Sequence, residues 1–135
     1  MKPPTKAFIR KTVKARLGVA HPLYMERVFH SAHVTDIVRS ILLRRRVPVY
    51  CGTPCCIAGE CLTAFPDLCR SVVAANPSFI QSPIGVAAAV MDLPSNAFYL
   101  SFWPDHLKDR YIKGTGKQKI AATKAAIDHF ARQKP

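Results

Sequence analysis

Eleven consecutive residues, Cys55-Cys56-Ile57-Ala58-Gly59-Glu60-Cys61-Leu62-Thr63-Ala64-Phe65, carry a single charge, at Glu60, between Thr53-Pro54 and Pro66. Thr-Pro is a strong helix start: the threonine caps the first turn, and proline at the first helical position lacks an N–H that would go unpaired anyway. A helix apolar on nearly all sides has no face to turn to water, so it belongs at the centre of a fold. The rest of the chain must then supply amphipathic helices to cover it.

The flanking sequence supplies them. A first helix begins near Thr5, after Pro3-Pro4, and stops before Gly18; Ile9, Val13 and Leu17 form its apolar stripe, with Lys6, Arg10 and Lys14 beside it. Met25, Val28, Phe29 and Ala32 follow helical spacing, as do Val34, Ile37, Val38, Ile41 and Leu42. At about 100° per residue the two stripes point roughly 180° apart, which predicts two helices broken at His30-Ser31-Ala32-His33. Arg44-Arg45-Arg46 suit a helix C-terminus, and Val47-Pro48-Val49-Tyr50 reads as an extended link. Ser82-Pro83 repeats the start signal for a helix over 84–93, and Ser95 is expected to cap a short helix over 97–103. A Lys/Arg-rich stretch follows Trp103-Pro104. Gly114-Thr115-Gly116 then opens a final helix over 117–132, with Ile120, Ile127, Phe130 and Ala131 inside and Lys124 awkwardly close to them. Without repeats or sustained alternation, the expectation is a mostly α, single-domain, small orthogonal helical bundle around a buried helix near 54–65.

Apolar residues make up 49% of the 135, which excludes a disordered basic tail, since such tails cannot bury enough surface to offset chain entropy. The formal net charge is +12, and it is uneven. Residues 1–46 hold eleven basic and two acidic side chains, residues 47–107 one basic and four acidic, and residues 108–135 eight basic and two acidic. A near-neutral, Cys-rich centre thus lies between two cationic ends. No signal-peptide pattern opens the chain, and no apolar run approaches the roughly 18 residues of a membrane span. A cytoplasmic protein without a membrane partner is expected.

Five cysteines are an odd number, and four crowd into residues 51–61, unlike a paired disulfide framework. Three readings compete. Zinc would want tight C-x₂-C pairs, and Cys51, Cys55, Cys56, Cys61 and Cys69 provide none. Cys51, just before a helix N-terminus, has one ingredient of a lowered thiol pKa, but His21, His30, His33, His106 and His129 are not set against it by sequence. The third reading is packing: Gly52 makes the turn, Thr53-Pro54 starts the helix, and Cys56, Ala58, Gly59 and Cys61 let neighbours approach closely.

The string Cys51-Gly52-Thr53-Pro54-Cys55-Cys56-Ile57-Ala58-Gly59 resembles a C-G-T-x-x-C-[IL]-A-G motif of small, uncharacterised bacterial and phage proteins. In those, an alanine-rich helix with a Leu turn and an aromatic W-P element follow. Gly85 to Leu93 and Phe98 to Pro104 stand here in that order, so the likeness spans about residues 50–131 and leaves the basic N-terminal part unmatched. Glu60 occupies a position that is often aromatic or His in such proteins. The resemblance implies a shared helical core and a prokaryotic or phage setting, with Cys51, Gly52, Thr53, Cys56 and Gly59 as structural motif positions; it implies no activity.

Clustered Lys and Arg on a folded surface are the footprint of a protein that displaces counterions from phosphates. The candidates are Lys6, Arg10, Lys11, Lys14 and Arg16; Arg44, Arg45 and Arg46; and Lys108, Arg110, Lys113, Lys117 and Lys119. Gly114-Thr115-Gly116-Lys117 resembles an anion-binding turn, although P-loop spacing is absent. Trp103, Phe98, Tyr99 and Phe102 are candidates either for the core or for base stacking. The expected function is non-catalytic binding of DNA, RNA or a nucleoprotein complex, without cofactor or metal. In a phage setting this becomes an accessory or inhibitor protein acting on a host nucleic-acid enzyme. The runner-up is a module docking its Arg and Lys clusters on an acidic protein surface, and a Cys-dependent or zinc-containing enzyme comes third.

Overall fold

The structure, a computed structural model, describes residues 2–19, 57–78 and 83–133. The helices expected over 25–32 and 34–42, the break at 30–33, the link 47–50 and the Thr53-Pro54 start lie outside the described residues. Within them every regular element is helical: α1 (Lys6–Arg16), α2 (Ile57–Ala64), α3 (Pro66–Ala75), α4 (Pro83–Met91), 3₁₀ turns at Ser95–Phe98 and Leu100–Phe102, α5 (Asp105–Lys113) and α6 (Gly116–Arg132). The small all-α fold expected from the periodicities is the fold observed.

α1 starts where its cap does, with Thr5 Oγ1 accepting the Phe8 N–H at 3.1 Å. Ile9, Val13 and Leu17 are buried, and Gly18 turns the chain away at φ +71. In α2 every residue from Ile57 to Leu62 is buried, Glu60 included, so this segment is a central helix as its composition requires. Pro66 does not merely end that run. It is the first residue of α3, with Phe65 at the N-cap position and Asp67 in the first turn, and Cys69 and Val73 face inward four residues apart. The proline that closes one helix satisfies the start rule of the next.

α4 is the hub, packing on α1, α2, α3 and the first 3₁₀ turn. Val86, Ala87, Ala88, Val90 and Met91 are buried, and its small side chains let these neighbours approach closely. It ends in a Schellman arrangement. Asp92 takes a left-handed conformation (φ 61), its N–H reaches Ala89 O at 3.3 Å, and the Leu93 N–H reaches Ala88 O at 2.9 Å.

The helix expected over 97–103 is replaced by two 3₁₀ turns that part at Tyr99, an extended residue (φ −111, ψ 119). Ser95 lies within the first turn and is not its cap; Pro94 precedes it without a side-chain cap bond. The reason is burial. A single α-helix at about 100° per residue would splay residues 98, 100 and 103 around its axis, whereas straightening at Tyr99 brings Phe98, Leu100 and Trp103 all into the core. The Trp103 indole N–H donates to Ala97 O at 3.1 Å, and its ring meets Tyr111 edge-on at 5.5 Å.

The basic stretch after Pro104 is itself helical. α5 buries only Leu107 and Tyr111, one turn apart, which is too short an apolar pattern to stand out among its charges. α6 carries a full capping box between Thr115 and Gln118. Ile127 and Phe130 are buried as expected, but Ile120 and Ala131 sit at the margin, and Ala122, Thr123 and Ala126 fill the centre. Thr123 is satisfied there by donating to Lys119 O at 2.8 Å. Lys124 is half-buried.

A Cβ at Gly18 would run into the Ile120 side chain, at a left-handed φ that itself costs an L-residue about 1–2 kcal/mol. Gly18→Ala should therefore lower the urea midpoint of unfolding. On an Ile120→Ala background, which removes both colliding carbons, the loss should shrink towards the φ cost alone, as a double-mutant cycle measures.

Candidate nucleic-acid interface

Four of the five α1 cations are engaged by other helices. At helical spacing Lys6, Arg10 and Lys14 border the Ile9-Val13-Leu17 stripe, so they reach the rim of the core with their charged ends. Lys6 Nζ donates to Ala89 O at 3.2 Å and to Val90 O at 3.1 Å, and the Arg10 guanidinium donates to Met91 O at 2.9 Å. These carbonyls are the last of α4, the negative end of its dipole, where cations are stabilising. Lys14 pairs with Asp128 of α6 at 2.7 Å. Arg16 pairs with the buried Glu60 of α2 at 2.9 Å, supplying the partner that a carboxylate removed from water requires. Of the five N-terminal candidates, Lys11 alone projects from the opposite face without a partner among the described residues.

The C-terminal candidates divide. Lys119 donates to Tyr111 O at 2.7 Å and lies 4.7 Å above the Tyr111 ring centre, closing the end of α5. Lys108 makes a loose 3.6 Å pair with the exposed Asp105 one turn away, a contact of little energetic weight. His106, Arg110 and Lys113 are exposed at i, i+4 and i+7 on one flank of α5, and Lys117 is exposed in the first turn of α6, directly across the connecting turn. None of Arg110, Lys113 and Lys117 pairs with a described residue. Asp109 stands on the outer crest between this flank and the one carrying Lys108. In the anion-binding turn expected at Gly114 to Lys117, the Gln118 N–H donates to Thr115 Oγ1 at 3.4 Å and the Thr115 N–H to Gln118 Oε1 at 2.7 Å. Two of the donors that a phosphate would use are thus already engaged by the cap.

The aromatic cluster also divides. Phe98 and Trp103 are core, while Tyr99 and Phe102 are 41% and 58% exposed and meet edge-on with ring centres 6.4 Å apart. Beside them Tyr99, Leu100, Ser101 and Lys108 line an open groove of about 370 Å³.

Arg44, Arg45, Arg46, Cys51, Gly52, Thr53, Cys55 and Cys56 lie outside the described residues. Gly59 is buried in α2, where its carbonyl accepts the Thr63 hydroxyl at 2.8 Å. Cys61 and Cys69 are buried free thiols. A hydrogen bond with Cys69, burial and the proximity of the Cys69 sulfur together push the Cys61 thiol well above its ordinary range, with Lys6 opposing weakly. A thiol held protonated is a poor nucleophile. Among the described residues no three His, Cys, Asp or Glu side chains gather as a metal site, and no helix is long and apolar enough to cross a membrane.

The sequence reading missed the partners rather than the cations. Glu60 and Asp128 are isolated acids on otherwise apolar or basic helices, and a lone carboxylate on a buried helix is a signal that some cation must come to it. Which one it would be depends on how helices cross. No family model, curated protein or solved structure matches the chain.

Two consequences are measurable. Arg10→Ala should lower stability by about 1.5–3 kcal/mol, the scale of a hydrogen bond to a charged group, while Lys11→Ala should stay within about 0.5 kcal/mol; urea unfolding compares them. Because the folded Cys61 thiol holds its proton more tightly than the unfolded one, its contribution is complete below the unfolded thiol pKa and declines as pH rises past it. The urea midpoint should therefore fall above about pH 8.5, and Cys61→Ala should flatten that fall.

Proposed function

We propose that the protein is a non-catalytic nucleic-acid-binding protein that contacts phosphates along the flank of α5 bearing His106, Arg110 and Lys113 and across the turn to Lys117. The observation that carries this reading is that Arg110, Lys113 and Lys117 are exposed and form no ion pair with a described carboxylate, with Lys117 at the positive end of the α6 dipole where a cation is disfavoured. Like charges held this way repel one another, and a polyanion relieves that repulsion while releasing its counterions. Lys11 and the sequence cluster Arg44, Arg45 and Arg46 extend the surface in this reading, the Arg cluster on sequence grounds alone.

Most cations of α1 are engaged within the fold. Lys6, Arg10, Lys14, Arg16 and Lys119 have internal partners, so a phosphate would have to compete with a carbonyl or carboxylate for each. Among the described residues Arg110, Lys113 and Lys117 have no such partner.

Fluorescence anisotropy with a labelled oligonucleotide tests it. Affinity should drop steeply between 50 and 200 mM salt, and Lys113→Ala/Lys117→Ala should reduce the log–log salt slope by about 1.4 for a single strand, at roughly 0.7 per phosphate contact. Lys6→Ala should leave the slope unchanged. Absence of binding at the lower salt would end this reading.

A further inference from the structure

Tyr99 and Phe102 are the two large side chains of the W-P segment that the fold turns outward, and they are turned outward by a backbone feature. The chain straightens at Tyr99 so that Phe98, Leu100 and Trp103 can all enter the core; the residues between them are thereby directed to solvent. Their exposure is fixed by a rigid support, because Trp103 is tied to Ala97 O and packed on Tyr111. In the edge-on arrangement one ring presents its edge to a face of the other, so the pairing leaves ring faces free for a third, planar partner. The neighbouring groove is open and lined by Tyr99, Leu100, Ser101 and Lys108, giving an aromatic wall, a hydroxyl and a cation. Among the described residues Lys108, partly exposed, has a single loose 3.6 Å pair, with the 95% exposed Asp105, a contact that an incoming anion can replace at little cost.

We propose that Tyr99 and Phe102 form a stacking platform for unpaired bases, with Lys108 taking an adjacent phosphate, so that the nucleic acid bound is single-stranded. This rests on the nucleic-acid reading above and narrows it. Aromatic faces beside cations are the means by which proteins hold single strands without reading sequence, because every base has a π-face and every nucleotide a phosphate. Bases in a duplex are already stacked and present no face to such a platform. An open groove also suits a strand passing across the surface better than a small molecule, which its pocket would normally enclose. The cationic flank of α5 with Lys117 lies on the other side of the helix crest, so a strand leaving the groove crosses α5 to reach it.

The test uses the full chain with three fluorescein-labelled probes: a 12-residue oligothymidylate, an abasic strand of equal phosphate number, and a 12-base-pair duplex. The expected order is oligothymidylate bound at least about 10-fold more tightly than the abasic strand or the duplex. Tyr99→Ala and Phe102→Ala should each weaken oligothymidylate binding by about 5- to 100-fold with the salt slope unchanged, while Phe102→Tyr retains affinity. Thermal melts identify any variant that fails to fold, and the conservative variant then carries the comparison against wild type. Equal affinity for the abasic strand or the duplex, wild-type affinity in Tyr99→Ala/Phe102→Ala, or equal competition by polyglutamate would overturn the platform. If no probe binds at 50 mM salt, the nucleic-acid reading falls and the platform with it; failure of the platform alone leaves the salt-dependent phosphate contacts of α5 and α6 intact.

Discussion

The carboxyl end of α4 is the point on which the described fold turns. Four successive carbonyls there, from Ala88 to Met91, have no continuing helix to bond to, and they are satisfied by backbone N–H groups and by two cations of α1. The left-handed Asp92 lets two backbone N–H groups turn back onto Ala88 and Ala89. Lys6 and Arg10 of α1 reach across more than eighty residues of sequence to Ala89, Val90 and Met91. Since α4 also touches α2 and α3, anchoring its end to α1 locks the N-terminal helix onto the central layer. Hydrogen bonds from charged donors are stronger than neutral ones, and here they coincide with the dipole's preference for positive charge.

That arrangement alters what the N-terminal charge means. Lys6, Arg10 and Lys14 on one side of the apolar stripe, with Arg16 on the other, look like a basic face when only composition is considered. In the fold they are the rim of a core contact. Lys14 reaches Asp128 and Arg16 reaches Glu60, so α1 is tied to α6, α2 and α4 by polar contacts at the edge of the apolar stripe. α1, which precedes the motif resemblance, is therefore part of the core, since Ile9, Val13 and Leu17 join the same buried cluster as α2, α4 and α6. Arg110, Lys113 and Lys117, exposed at the α5–α6 connection, form no ion pair with a described residue.

The aromatic segment shows the same division between composition and placement. Phe98, Tyr99, Phe102 and Trp103 form one continuous apolar group in the sequence, yet the extended residue at position 99 sorts them into two buried and two exposed rings. Burying Phe98, Leu100 and Trp103 together required a departure from α geometry. The exposed pair is the consequence of that packing, and it places aromatic surface beside Lys108 on an otherwise charged helix.

What the sequence determined alone was local: helix starts at Thr5, Pro83 and Thr115, the stop at Gly18, the burial of Ile57 to Leu62, and the all-α class. Each depends on residues within a turn or two of one another, through capping, proline geometry or apolar spacing. α3 and α5 were harder to read because each shows only one inward pair, Cys69 with Val73 and Leu107 with Tyr111, below what periodicity can separate from background. The roles of Lys6, Arg10, Lys14, Arg16 and Tyr99 were decided only by the tertiary structure. A side chain's charge or ring is written in the sequence, but whether it meets a carbonyl, a carboxylate or water depends on which helix end lies opposite, and that follows from packing between segments tens of residues apart.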